Sequence, residues 1–142
     1  MIDVITKTPK ECIELGEKIS RNLKPGDIIS LEGDLGAGKT TFVKGILKGL
    51  NYKHSVTSPT FTLVNEYIAD TKVIHIDFYR ENSKKRWDII GLNEYLYSNN
   101  IVILEWGNIV KELLPHNMIY IYMEHIGLNK RRVYSKYEFF SN

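Results

Sequence analysis

The chain spells Gly33-Asp34-Leu35-Gly36-Ala37-Gly38-Lys39-Thr40, the pattern G-x-x-x-x-G-K-[ST], and what flanks it restricts the fold more than any other feature. Ile28-Ile29-Ser30-Leu31 before it reads as a buried strand. After it, Phe42, Ile46 and Leu50 recur at helical spacing, with Val43 and Leu47 widening the same face. Strand, glycine-rich loop and helix therefore follow one another, as a phosphate-binding loop requires. Backbone N–H groups must wrap phosphate oxygens, which crowds out side chains at the glycines. Lys39 reaches the terminal phosphates and Thr40 offers a hydroxyl to Mg²⁺. A nucleoside triphosphate is the expected ligand, and a chance match in an unrelated fold is disfavoured by the correct flanks.

The remaining elements place this loop in an α/β domain. Thr8-Pro9-Lys10-Glu11 has the form of a capping box, and Cys12, Leu15, Ile19 and Leu23 mark one face of the helix it starts. Lys24-Pro25-Gly26-Asp27 ends that helix. Residues 61–68 and 72–78 alternate like the strands of a hairpin across Ala69-Asp70-Thr71. Residues 81–86 read as an exposed loop and 88–97 as one or two short helices broken by Gly91. Ile101-Val102-Ile103-Leu104 is the most continuous apolar run and the best candidate for a central parallel strand. A brief helix near 109–114 and strands over 118–123 and 133–139 complete the pattern. The expected architecture is a three-layer α/β sandwich of the P-loop NTPase kind, with a mixed, mainly parallel sheet.

Bulk properties set limits on function. With 142 residues, 43% of them hydrophobic, the chain suits one domain over residues 1–142. A formal net charge of +2 lacks the footprint of a protein that holds nucleic acid unaided. The basic runs Lys84-Lys85-Arg86 and Lys130-Arg131-Arg132 read more readily as solvated turns than as binding patches. A single cysteine excludes an intramolecular disulfide, and no stretch approaches the roughly 20 apolar residues of a membrane-spanning helix. The first five residues do not resemble a signal peptide, so the cytoplasm is the expected location.

A triphosphate site also needs a carboxylate on a second strand for Mg²⁺ and a group that orients the nucleophile. Glu105 closes the central apolar run, and Asp77 lies near the end of another strand pattern in His75-Ile76-Asp77-Phe78-Tyr79-Arg80. Either can be an ordinary strand-end acid, and spacing does not choose between them. His75 shares a strand face with Asp77, where it orients that acid or packs in the sheet; the other histidines complete no metal site. The hydroxyl-rich Ser55-Val56-Thr57-Ser58-Pro59-Thr60-Phe61-Thr62 is a candidate switch ordered by a γ-phosphate, or else a Ser-Pro turn into a strand.

Taken together, residues 31–42, Ser58-Pro59-Thr60-Phe61-Thr62-Leu63, His75-Ile76-Asp77-Phe78-Tyr79-Arg80, Gly91-Leu92-Asn93-Glu94-Tyr95-Leu96 and Glu105-Trp106 resemble the TsaE (YjeE) family, small ATPases of bacterial tRNA threonylcarbamoyladenosine synthesis. The resemblance covers essentially the whole chain. It implies that Gly33, Asp34, Leu35, Gly36, Ala37, Gly38, Lys39, Thr40 and Thr41 bind ATP phosphates and that Thr40 and Glu105 hold Mg²⁺. It further implies that Lys39, Asp77 and Glu105 serve hydrolysis, that Thr60 lies in a switch-like loop near the γ-phosphate, and that Trp106 sits close to the nucleotide. Arg131 and Arg132 lie near where related chains carry an arginine, which implies nucleotide or partner contacts for both, with Arg132 assigned to the nucleotide. Two departures are Glu11-Cys12, where many members have Glu-Thr, and Gly107 after Glu105-Trp106. The implied partners are the TsaB and TsaD proteins, which modify an adenosine beside the anticodon; tRNA is then reached indirectly and no membrane is involved. In such proteins ATP hydrolysis supports repeated turnover rather than the transfer itself.

Two further readings stand beside a partner-stimulated ATPase. One is a nucleotide-gated binding module in which hydrolysis is incidental. The other is a small-molecule kinase, against which the chain has no long arginine-bearing lid insertion. ATP over GTP rests mainly on the resemblance, since Asn129-Lys130 is followed by Arg131-Arg132 rather than by the guanine-reading aspartate.

Overall fold

The computed structural model describes residues 1–140. Among them, seven strands form one sheet: β1 (Ile2–Thr6), β2 (Ile28–Glu32), β3 (Val64–Tyr67), β4 (Val73–Asp77), β5 (Ile101–Glu105), β6 (Ile119–Gly127) and β7 (Lys130–Ser135). The helices are α1 (Pro9–Ser20), α2 (Lys39–Gly49), α3 (Lys84–Ile90) and α4 (Leu92–Leu96), with a 3₁₀ segment at Gly107–Leu113. The strand order is β1-β7-β6-β2-β5-β4-β3. Its central pairings, β6 with β2, β2 with β5 and β5 with β4, are parallel, and the outer pairings are antiparallel. The sheet is therefore mixed, with the parallel strands confined to the middle, where both faces are covered.

Alternation along the central strands feeds two cores. Ile29, Leu31, Ile101 and Ile103 pack with Phe42, Val43 and Ile46 on the α1/α2 face. Ile28, Ile74, Ile76, Val102 and Leu104 pack with Trp87, Leu92, Leu96 and Val110 on the other. Val73 belongs to the first face, so the same period puts His75 and Asp77 there, as it puts Glu105 with Ile101 and Ile103. Three polar side chains thus end up on the α2 side of the sheet, at the carboxyl ends of the parallel strands.

Local sequence explains the elements that carry the site. Thr8 caps α1 by accepting the Glu11 N–H at 3.1 Å, and Pro9 occupies a first-turn position. The Glu11 carboxylate reaches back one residue further than a standard capping box, accepting the Lys7 N–H at 2.6 Å. Helices α1 and α2 meet backbone to backbone: a Cβ on Gly16 would lie 2.6 Å from the Phe42 carbonyl oxygen, and one on Gly45 only 2.2 Å from that of Ile13. Residue 91 separates α3 from α4 at φ 91°, which only glycine adopts without cost.

Several boundaries differ from expectation. Residues 84–86 open α3 rather than extend a loop, because Ser83 caps that helix by accepting the Arg86 N–H. The hairpin's first strand begins only at Val64, since residues 60–63 turn and Leu63 sits at φ 67°. Lys130-Arg131-Arg132, read above as a solvated turn, lies inside β7; the turn is at Leu128-Asn129. No helix of the described residues is long and apolar enough to cross a membrane.

Candidate functional site

The phosphate loop leaves β2 at Glu32 and enters α2 at Lys39. Gly33 has no room for a side chain, because a Cβ would come within 2.6 Å of the Met123 carbonyl oxygen. Gly36 and Gly38 adopt φ values of 80° and 96°, and Gly38 is the residue that turns the chain into α2. Beyond this turn the first N–H groups of α2 point out of the helix without intrahelical partners, an arrangement suited to anions.

Lys39, though charged, is only 6% exposed. Its ammonium donates to the Gly33 carbonyl at 2.6 Å, lies 3.7 Å from Glu105 Oε1 and sits 4.3 Å from the centre of the Trp106 ring. Burial pulls its pKa below the usual lysine value, while Glu105, Asp77 and Glu32 oppose that pull. Trp106 is held at φ 61° directly after β5, and its ring packs against Tyr79 at 4.9 Å between centroids.

Two carboxylates stand side by side across the sheet, Asp77 on β4 opposite Glu105 on β5. They have separate anchors. Asp77 accepts the Tyr79 N–H at 2.7 Å and the Thr60 hydroxyl at 3.0 Å, and Thr60 in turn meets the Ser58 hydroxyl at 2.7 Å. Glu105 pairs with His75, its Oε2 lying 2.5 Å from His75 Nε2. Burial alone would push the Glu105 carboxyl up, but His75 and Lys39 together hold it below the ordinary carboxylate range. His75 therefore serves Glu105, not the Asp77 beside which the sequence placed it.

These groups share one pocket of about 330 Å³, lined by Leu35, Gly36, Gly38, Lys39, Thr40, Thr41, Ser58, Thr60, Asp77, Glu105, Trp106 and Arg131. A second pocket of about 430 Å³ adjoins it across Leu35 and Trp106, and Gly33, Asp34 and Ala37 belong to its wall. Every residue expected to contact phosphate, metal or nucleotide thus borders one of the two, except Arg132; of the candidate switch 55–62, Ser58 and Thr60 do. That arginine is bound at the sheet edge, donating to both Asp3 oxygens at 2.9 and 2.8 Å and to Glu124 at 3.3 Å. Alternation along β7 turns its neighbour Arg131 the other way, into the pocket lined by Lys39 and Thr40. Arg131 Nε is buried with no hydrogen-bond partner among the described residues, and would lie 3.6 Å from a Cβ built on Gly38. A buried guanidinium N–H left unpaired beside a glycine cradle suits an anionic ligand. The basic run carried this signal, but only the pairing register separates its two arginines.

Cys12 lines a narrow crevice next to the pocket with Thr6, Thr8, Pro9, Gly38, Thr41, Asn129 and Arg131. Burial pushes its thiol up to about 11, against the opposing charge of Arg131, so it is a neutral wall there rather than a nucleophile.

The residues present fit a nucleotide with a divalent cation: a loop whose Gly36 and Gly38 take positive φ, a buried ammonium, an unpaired guanidinium N–H, and two carboxylates lining one cavity with Thr40.

Comparison with known proteins agrees in extent. A family model described as "Threonylcarbamoyl adenosine biosynthesis protein TsaE" matches residues 6–133. The tRNA threonylcarbamoyladenosine biosynthesis protein TsaE of Bacillus subtilis is 36% identical over 129 residues, covering 90% of this chain and 80% of that protein. That of Aquifex aeolicus is 41% identical over 134 residues, covering 92% of each. The crystal structure of Bacillus subtilis YdiB superposes with a TM-score of 0.80 at 33% identity, covering 93% of this chain and 82% of that one.

Proposed function

Since this chain belongs to the TsaE family of tRNA threonylcarbamoyladenosine biosynthesis proteins, we propose that it is the Mg²⁺-dependent ATPase subunit of that system, hydrolysing ATP to ADP and phosphate in complex with TsaB and TsaD. The observation that carries this reading is the single cavity in which Lys39, Thr40, Thr60, Asp77, Glu105 and Arg131 converge on a glycine cradle.

In this reading the N–H groups of residues 33–41 and the Lys39 ammonium bind the phosphates, and Arg131 adds a second cation from the β7 side. Thr40 and Glu105 hold Mg²⁺, which when bound neutralises charge on the phosphate oxygens. Asp77 orients the attacking water and receives its proton as the bond from the γ-phosphorus to the bridging oxygen breaks and ADP departs. Lys39 must exchange its Gly33 and Glu105 contacts for phosphate oxygens, so the site reorganises as nucleotide enters. The TsaB–TsaD pair supplies what the chain alone lacks, which makes hydrolysis slow in isolation and faster in the assembly; tRNA is reached through those partners.

One observation favours a second reading. The Asp77 carboxylate is engaged by Thr60 and by the Tyr79 N–H, so it also latches the Ser58-Pro59-Thr60 loop to the sheet. In a nucleotide-gated binding module, that latch rather than proton transfer would be its task. Asp77→Asn discriminates: loss of tRNA modification with nucleotide binding retained supports catalysis, and full modification without hydrolysis supports the module. The primary test is steady-state ATP hydrolysis by the chain alone and with its own TsaB–TsaD pair. Strong stimulation is expected. Undiminished turnover alone, unaffected by the pair, would overturn the proposal.

A further inference from the structure

We propose that His75 is a positioning residue for the Mg²⁺ site, holding one oxygen of Glu105 so that the other is presented to the phosphate pocket; this rests on the ATPase reading above.

Glu105 is 3% exposed, so its carboxylate must be oriented by protein groups rather than by water. Lys39 does not fix it: the ammonium is 3.7 Å from Oε1, beyond a good hydrogen bond, and makes its short contact to the Gly33 carbonyl instead. The close partner is His75 Nε2 on Oε2, from a ring that is itself 0% exposed. Asp77, directly opposite Glu105 in the sheet register, contributes nothing to this anchoring, because both of its oxygens serve the 58–60 loop and Tyr79.

Burial also settles which imidazole nitrogen carries the proton facing Glu105. An Nε2 lone pair there would oppose a carboxylate oxygen, and the matching Nδ1–H would be orphaned, since Nδ1 is buried with no partner among the described residues. The proton therefore sits on Nε2 and is donated to Oε2. When Lys39 moves to phosphates, His75 is the protein contact that keeps Oε1 aimed at the cavity it shares with Thr40. The ring touches neither nucleotide nor metal, and it acts through the carboxylate as outer partners of metal ligands do.

The test compares wild type, His75→Leu and His75→Gln by calorimetric titration with the non-hydrolysable ATP analogue AMP-PNP, with and without Mg²⁺. The readout is the ratio of the two affinities. His75→Leu is expected to cut the Mg²⁺-dependent gain by about tenfold or more while leaving metal-free affinity within about twofold. His75→Gln, whose amide N–H reaches the same oxygen, is expected to restore most of the gain. If His75→Leu does not fold, His75→Asn replaces it, keeping a polar side chain too short to reach Glu105. A full Mg²⁺-dependent gain in His75→Leu or His75→Asn would overturn the proposal, as would a His75→Gln protein no better than they are. A wild-type protein that fails to bind AMP-PNP, or binds it without regard to Mg²⁺, would instead overturn the ATPase reading on which the proposal rests.

Discussion

Gly45→Ala is expected to destabilise the protein by about 2 kcal/mol, although in an ordinary helix the same change is favourable. Position 45 lies in the middle of α2, where replacing glycine by alanine normally stabilises by roughly 0.5–1 kcal/mol. Here the added Cβ would stand 2.2 Å from the Ile13 carbonyl oxygen and 2.9 Å from its carbonyl and α carbons. These are backbone atoms of α1, so no rotamer change relieves the clash, and ordinary contact requires a retreat of more than 1 Å. The helices are as close at Gly16, where a Cβ would stand 2.6 Å from the Phe42 carbonyl oxygen and 2.9 Å from the Ile46 nitrogen of α2, so a slide brings no relief. The two helices must separate, and a gap of 0.5–1 Å already forfeits a quarter to a half of each dispersion contact. Because backbone atoms cannot give way, the overpacking cost sits at the upper end of its range, about 3 kcal/mol, and the helix-propensity gain of up to about 1 kcal/mol leaves a net loss near 2 kcal/mol. At this size that lowers Tm by about 8 °C. Thermal and urea unfolding followed by circular dichroism measure it, with Lys44→Ala on the exposed face of α2 as the control, expected within about 0.5 kcal/mol of wild type. A Gly45→Ala protein as stable as wild type, or more so, would refute the argument that the helices touch through their backbones.

Lys39→Ala is expected to reduce ATP hydrolysis by at least about 10²-fold with an unchanged circular dichroism spectrum; normal turnover in a folded variant would remove the loop from the site. Arg131→Ala is expected to weaken AMP-PNP binding by about tenfold or more, as the loss of a charge-assisted contact does, while Arg132→Ala leaves it within about twofold; calorimetry that ranks them the other way would reverse the assignment made from the β7 register. Acid stability follows from Glu105. Its folded-state pKa lies below the ordinary value near 4.5, so its contribution is present above that value and disappears as pH falls through the folded pKa. Urea midpoints measured between pH 6 and 3 should therefore fall less in Glu105→Gln than in wild type, and parallel profiles would count against that coupling.

The sequence was most legible where a local rule had no competitor. The glycine-rich turn from β2 into α2, the capped start of α1 and the apolar β5 each follow from residues within one element, and all three lie where expected. The strand β1 was not anticipated, because only Ile2 and Thr6 of its five residues are buried and the exposed Val4 and Ile5 break the alternation. Its existence depends on β7, whose basic start imitates a turn until Asp3 and Glu124 are placed beside Arg132. Within the site, the acids at 77 and 105 could be nominated from strand ends, but not their anchors. His75 is two residues from Asp77 in the chain and yet bonds the acid on the neighbouring strand, a choice made by sheet register. The separation of Arg131 from Arg132 has the same origin.

The pairing of β1 with β7 also has a kinetic consequence. Asp3 and Arg132 are bonded across 129 positions of the chain, so this edge of the sheet closes one of the longest loops the molecule can form. Contacts of such separation form late, after the local strand–loop–helix unit of β2 and α2 has had time to organise. Because Arg131 rides on the same strand, the second cationic wall of the cavity it shares with Lys39 is completed only when that edge closes. An intermediate that lacks β1 and β7 would carry the glycine cradle and its lysine without the second cation, and nucleotide binding during refolding should lag behind the recovery of helix.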